Sequence, residues 1–174
     1  MERNEYVALV SAFEHAYDKL IAKANALSPE ELRFVPTVKD AWSSNDHLVH
    51  LLDADCNLVM RLRGAVAEPG KPIPAWDPEA WRLKNNYSLT DGLFCLDLAV
   101  ALRKVIAESL KTLDEEVRVK AWILHPERGE LSLEAVLKIY AGHPDFHLKY
   151  LERNSEAFAQ AQAEAKAEAK GRQE

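Results

Sequence analysis

The sequence predicts an all-α protein, a four-helix bundle with a long loop between its second and third helices. Three observations carry this reading. Apolar residues recur at spacings of three and four through four long stretches, the period of helices with one buried face. Glycine and proline are scarce, at six and eight in 174 residues, and Pro69, Pro72, Pro74 and Pro78 crowd into one segment. A composition that is 48% hydrophobic and 29% charged suits a single core of ordinary size.

The first helix, residues 4–27, carries Tyr6, Val10, Phe13, Tyr17, Leu20 and Ala24 on one face. Ser28-Pro29-Glu30-Glu31 joins a capping serine, proline at the first helical position and glutamate three after the cap, so it starts a short connecting turn that ends before Pro36. The second helix opens at Trp42-Ser43-Ser44-Asn45-Asp46, where a serine caps free N–H groups and Asp46 meets the positive end of the macrodipole; it runs to about Gly64. The segment "EPGKPIPAWDPEAWRLKNNY" has no sustained period and reads as a structured loop with one helical turn from Pro78 to Leu83. A third helix begins after Thr90 or Asp91 and buries Leu96, Ala99, Ile106 and Leu110. "HPERGE" is a polar turn, and Ser132 then caps a fourth helix with Val136, Leu137, Tyr140 and Leu151 inside. No strand competes with these helices.

Residues 1–154 are expected to form the bundle domain and residues 155–174 a frayed helical tail. Alanine gives that tail little apolar area, and Glu164 with Glu168 and Lys166 with Lys170 repel at i,i+4.

Twenty-two Lys and Arg against 28 Asp and Glu leave a formal charge of -6, the wrong sign for affinity built on phosphate contacts. Nucleic acid is therefore not an expected partner. The N-terminus is polar, and no stretch approaches the roughly 18 uncharged apolar residues that cross a bilayer, so no membrane association and a cytoplasmic location are expected. Cys56 and Cys95 lack C-x-x-C spacing and read as small core residues.

Four of the six histidines fall in two close pairs. His143 and His147 stand one turn apart on one face of the fourth helix, within the arc of Val136, Tyr140 and Leu151, and can share a metal ion. On the second helix, Leu48, Leu51 and Leu62 define one side while Asp46, His50, Asp53, Asn57 and Arg61 run along the other. That stripe is either a solvated polar face or the lining of a cleft in which His50 is a ligand and Asp46 or Asp53 orients an imidazole.

The segment "WSSNDHLVHLLDAD", with a histidine eight positions after the tryptophan, resembles the second helix of the DinB/YfiT-like superfamily, and "HPERGELSLEAVLKIYAGHPDFHLKYL" resembles its last helix. The likeness runs from the first helix to about Asn154. It implies an up-down-down-up bundle holding a divalent metal, nickel or zinc, on His50, His143 and His147, with waters or substrate in the remaining positions. His47 does not match the family position and stands in reserve. Pro144 departs from the pattern: it removes a backbone donor and should bend the fourth helix near Tyr140, at about 3 kcal/mol in an ordinary helix interior.

Arg103 lies in the apolar arc of the third helix, where its guanidinium must snorkel out, meet Asp55, or hold a carboxylate of a substrate. Trp76 and Trp81 either roof a cleft or pin the long loop to the bundle. His15 and His125 have no partner at ligand spacing and read as structural or exposed. Phosphate-binding loops, nucleophile elbows and H-E-x-x-H runs are missing from the sequence.

The resemblance implies a metal-dependent enzyme of the thiol-transferase or hydrolase type. Its ion would activate a water or thiol against a small-molecule substrate, with a low-molecular-weight thiol as a plausible cosubstrate and a homodimer as a plausible assembly. The alternative is a non-catalytic helical stress-response or binding module whose metal is structural or absent. A fourth protein ligand, from His47, Asp46 or Asp53, would favour that alternative.

Overall fold

A computed structural model describes residues 1–171. The chain runs α1 (Arg3–Glu14), α2 (Asp18–Asn25), α3 (Pro29–Arg33), α4 (Ser44–Ala67), α5 (Pro78–Lys84), α6 (Gly92–Lys111), α7 (Glu115–Lys120), β1 (Trp122–His125), β2 (Gly129–Ser132) and α8 (Leu133–Gly171). The bundle consists of α1 continued by α2, then α4, α6 and α8.

The single first helix expected over residues 4–27 is broken at residues 15–17. Its apolar residues keep a strict seven-residue repeat, which drifts about 20° per heptad on a straight α-helix. The break takes up that drift, so Tyr6 in α1 and Leu20 in α2 both face the core.

Side-chain bonds give the relative directions. Asn45, in the first turn of α4, donates to the carbonyls of Tyr87 and Thr90 and accepts from the Gly92 N–H at the start of α6. Asp55 meets Arg103 further along both helices, so α4 and α6 run in the same sense. Tyr6 donates to the Leu110 carbonyl near the end of α6, and Asn154, late in α8, donates to the Trp42 carbonyl just before α4. The outer pair, α1 and α8, therefore runs opposite to α4 and α6. Gly92 permits the close approach at the α4–α6 end, because a Cβ there would stand 2.7 Å from Asn45 Oδ1.

Two apolar clusters fill the bundle, one around Phe13, Leu58, Leu62 and Ile106, the other around Tyr17, Leu48, Leu96 and Leu151. Arg103 and Asp55 sit where they meet, with the guanidinium facing the rings of Phe13 and Tyr17. The pair is bidentate, Nε to Oδ2 at 2.6 Å and Nη2 to Oδ1 at 2.9 Å, and Tyr17 adds its hydroxyl to Asp55 at 2.9 Å. Arg103 Nη1 donates at 3.0 Å to the carbonyl of Tyr140, the acceptor whose helical donor Pro144 lacks. Proline inside α8 and arginine inside α6 thus satisfy one another. With no exposed surface, Arg103 does not snorkel and has no open face towards a substrate anion; its carboxylate partner is Asp55, which corrects the substrate-binding role considered for it from sequence.

Three further expectations need correction. The all-helical reading missed the antiparallel hairpin of β1 and β2, whose strands of four residues are too short to show a period. The "HPERGE" segment spans its loop, residues 126–128, and the closing pair His125 and Gly129, where Gly129 takes φ +70°, a left-handed conformation that glycine adopts without strain. Cys56 is exposed and only Cys95 is buried. Finally, α8 continues without interruption through Gly171, and packing does not stop at Asn154: Ser155 donates to Glu31, and Phe158 sets its ring edge-on to Phe34 at 5.4 Å.

Candidate metal centre

The start of α4 is fixed by a capping box in which Asp46 N–H donates to Ser43 Oγ at 3.0 Å and Ser43 N–H donates to Asp46 Oδ2 at 3.3 Å. Asn45 and Asn154 tether the same turn to α6 and α8. This places His47 and His50 against His143 and His147 of α8. The stripe that sequence left between solvated face and cleft lining is a cleft lining at this end: Asp46, His47 and His50 are all buried.

One nitrogen from each of His50, His143 and His147 lies within 4.8 Å of the other two, and among the described residues no fourth histidine, cysteine or carboxylate joins them. His143 Nε2 and His147 Nε2 are 3.0 Å apart. Two nitrogens each about 2.0–2.1 Å from one ion would stand roughly 3 Å apart, so the spacing fits shared coordination. Pro144 does not spoil the i,i+4 geometry, because Arg103 occupies the carbonyl it leaves free.

His47, held in reserve from sequence, serves a different purpose from a closing ligand. Its Nδ1 lies 3.0 Å from Nδ1 of His147, on the opposite side of that ring from the cluster. One of the two must donate. When His147 donates, its Nε2 lone pair is directed at His143 and His50, the arrangement by which a supporting residue fixes a ligand's tautomer. His47 is itself clamped by stacking on Tyr150, 4.9 Å between centroids at 17°, and by Trp42 at 5.3 Å. The carboxylates expected in this role make other contacts: Asp46 uses Oδ2 for its cap and for Arg82 while its Oδ1 is buried without a partner, and Asp53 accepts from the hydroxyl of Tyr87.

Burial pushes His47 and His143 down to about 3 and His50 to about 4, and it pushes His147 further still, with the neighbouring imidazoles adding to the effect on His147. The imidazoles are therefore neutral near pH 7, and their lone pairs carry no proton to displace. His47 Nε2, His50 Nδ1 and His143 Nδ1 are buried without a hydrogen-bond partner. Such groups cost about 1–3 kcal/mol each, a sign that the cluster is built for a purpose other than stability.

A cavity of about 260 Å³ opens beside His50 and His143, bounded by α4, α8, the hairpin and the long loop. Trp76 stacks on His50 at 5.4 Å and 12°, and Trp81 abuts Trp76 edge-on, so the tryptophans both anchor the loop and cover one face of the cluster. His125, read from sequence as structural or exposed, lines this cavity, as do Tyr140 and Arg61. Arg61 was visible in the sequence only as the end of the polar stripe beginning at Asp46. His15 is exposed.

A mixed-sense helical bundle with three histidines converging from two helices defines a recognisable class. The DinB superfamily model matches residues 12–151, and the chain belongs to the DinB superfamily. A protein named "Putative metal-dependent hydrolase OB0782", from Oceanobacillus iheyensis, is 29% identical over 110 residues, 63% of each chain's length. A second from the same organism, "Putative metal-dependent hydrolase OB0413", is 23% identical over 139 residues, spanning 78% of this chain and 76% of its own length. Among solved structures, YfiT from Bacillus subtilis, described as a probable metal-dependent hydrolase with an unusual four-helix bundle topology, superposes with a TM-score of 0.81. It is 21% identical, with 91% of this chain and 90% of that one covered.

Proposed function

We propose that the chain is a metal-dependent hydrolase of small molecules whose divalent ion, zinc or nickel, is held by His50, His143 and His147. The observation that carries this reading is the convergence of three neutral imidazoles at the head of an open cavity, with no fourth histidine, cysteine or carboxylate among the described residues to close the site. The names of the two relatives support hydrolysis. When bound, such an ion supplies an acidified water or thiol at neutral pH. The chain's own residues do the rest. His47 orients His147, and Trp76 shields His50 from bulk water. The hydroxyl of Tyr140, pushed up by burial, keeps its proton and remains a hydrogen-bond donor at the cavity wall. A low-molecular-weight thiol in the water's position would make the same site a thiol transferase.

Elemental analysis of protein purified without a polyhistidine tag tests the site. One divalent ion per chain is expected, lost on His147→Ala; stoichiometric metal in the His50, His143, His147 triple alanine variant would overturn the assignment. Ester and amide hydrolysis assayed with and without added thiols then tests the chemistry. Turnover that requires a thiol selects transfer, and an ion with no exchangeable water selects the non-catalytic module.

A further inference from the structure

The cavity beside the histidines has two characters. Its floor is apolar, formed by buried Ile123 and Val136 and half-buried Leu131, with Ile139 exposed at its edge. Its rim is cationic, with Arg61 and Arg128 against a single acidic residue, Glu127. In a chain whose formal charge is -6, this local excess runs against the whole. Arg61 is half-buried, and Nη1 donates to the hydroxyl of Tyr140 at 2.8 Å. Among the described residues, the ion pairs formed by arginine are Arg82 with Asp46 and Glu79 and Arg103 with Asp55, so the Arg61 guanidinium faces the cavity without a carboxylate. His125 registers the same field: burial first, then the charges of Arg61 and Arg128, lower its proton affinity. A partly desolvated guanidinium with free donors next to an apolar floor is a built receptor for the anionic end of an amphipathic ligand.

We propose that this cavity binds a small molecule with a carboxylate at one end and an apolar segment behind it, the carboxylate resting on Arg61 and the hydroxyl of Tyr140. This rests on the hydrolase reading, in which the other end of the molecule reaches the histidines. The Tyr140 ring is 5.8 Å from that of His143, so the anion sits about one aromatic ring away from the cluster. Planar pairing with one guanidinium and one neutral hydroxyl suits the two oxygens of a carboxylate. Glu127 on the rim opposes the second charge of a phosphate dianion.

The probes are 4-phenylbutanoate and its uncharged amide, titrated calorimetrically into purified protein whose metal content is measured in parallel. The acid is expected to bind about tenfold more tightly than the amide, a difference of about 1.4 kcal/mol. Arg61→Met should erase the difference, lowering acid affinity far more than amide affinity while leaving metal content and the circular dichroism spectrum unchanged, and Arg61→Lys should retain part of it. Equal binding of acid and amide, absence of binding at millimolar concentration, or a preference that survives Arg61→Met would overturn the proposal, the last by placing the carboxylate on the ion. Tighter binding of the corresponding phosphonate would overturn the choice of carboxylate. An Arg61-dependent preference in a chain that carries no metal sustains the cavity inference and sinks only the hydrolase reading. Metal without any acid preference does the reverse.

Discussion

His147 is held on both sides of its ring, by His143 at Nε2 and by His47 at Nδ1. The two contacts make different predictions. His147→Ala should abolish metal binding, whereas His47→Ala should leave one site per chain and weaken its affinity about 10–100-fold, the usual loss when a ligand's supporting partner is removed. Competition against a chromophoric chelator measures this, and unchanged affinity would show that His47 does not orient the ligand. Arg103 and Asp55 pose a second question at this scale. Removing one member of a buried pair strands the other charge, so Arg103→Met should destabilise the chain by about 3–5 kcal/mol. Arg103→Met with Asp55→Leu should recover a substantial part of that loss. Urea denaturation of both variants is the check, and a double variant no more stable than the single one would contradict the argument.

Among the elements, α8 carries the heaviest load: it supplies two of the three candidate ligands, tolerates Pro144 through Arg103, and continues past the bundle to Gly171. Its packed part ends later than the domain boundary at Asn154 proposed from composition. Beyond Ala159 the described residues are exposed throughout, so truncation there should change stability by less than about 0.5 kcal/mol. Truncation after Asn154 also removes the Phe158 contact with Phe34 and should cost about 1 kcal/mol more. Thermal melts of the two truncations decide between these boundaries, and identical melts would restore the earlier one. The hairpin matters for a different reason. It closes one side of the cavity and brings Ile123, His125 and Leu131 to the wall of the cavity that His50 and His143 also line.

For the whole molecule, the buried histidines set a pH dependence. In the metal-free fold His47, His50 and His143 are held at about 3 to 4, while an unfolded histidine titrates near 6.5. Between those values the unfolded chain binds protons that the folded chain refuses. Stability is therefore fully present above about pH 6.5 and falls as the pH drops towards 4, by about 1.4 kcal/mol per pH unit for each histidine. Urea midpoints of chelator-treated protein should fall clearly between about pH 7.5 and about pH 5, and the fall should be shallower in the triple alanine variant. A midpoint that does not move across that range would mean the imidazoles are not desolvated as a group.

Sequence determined the parts of this protein that repeat locally. The 3.6-residue period marked the long helices, serine followed by an acid three later marked the starts of α3 and α4, and the i,i+4 spacing put His143 and His147 on one face. These signals are legible because each arises within one or two helical turns. Tertiary structure decided whatever depends on what lies across the bundle. Periodicity gave the same stripe to a solvated face as to a cleft lining, and His50 is buried by groups from elsewhere in the chain, His147 of α8 and Trp76 of the long loop. It placed Arg103 in an apolar arc, but its partners Asp55 and the Tyr140 carbonyl come from two other helices. Arg61 resembled any surface arginine until the hairpin and Tyr140 enclosed it. A side chain's spacing along its own helix fixes the direction in which it points, whereas its charge state, its partner and its access to solvent depend on groups distant in sequence, which only the packed bundle brings within reach.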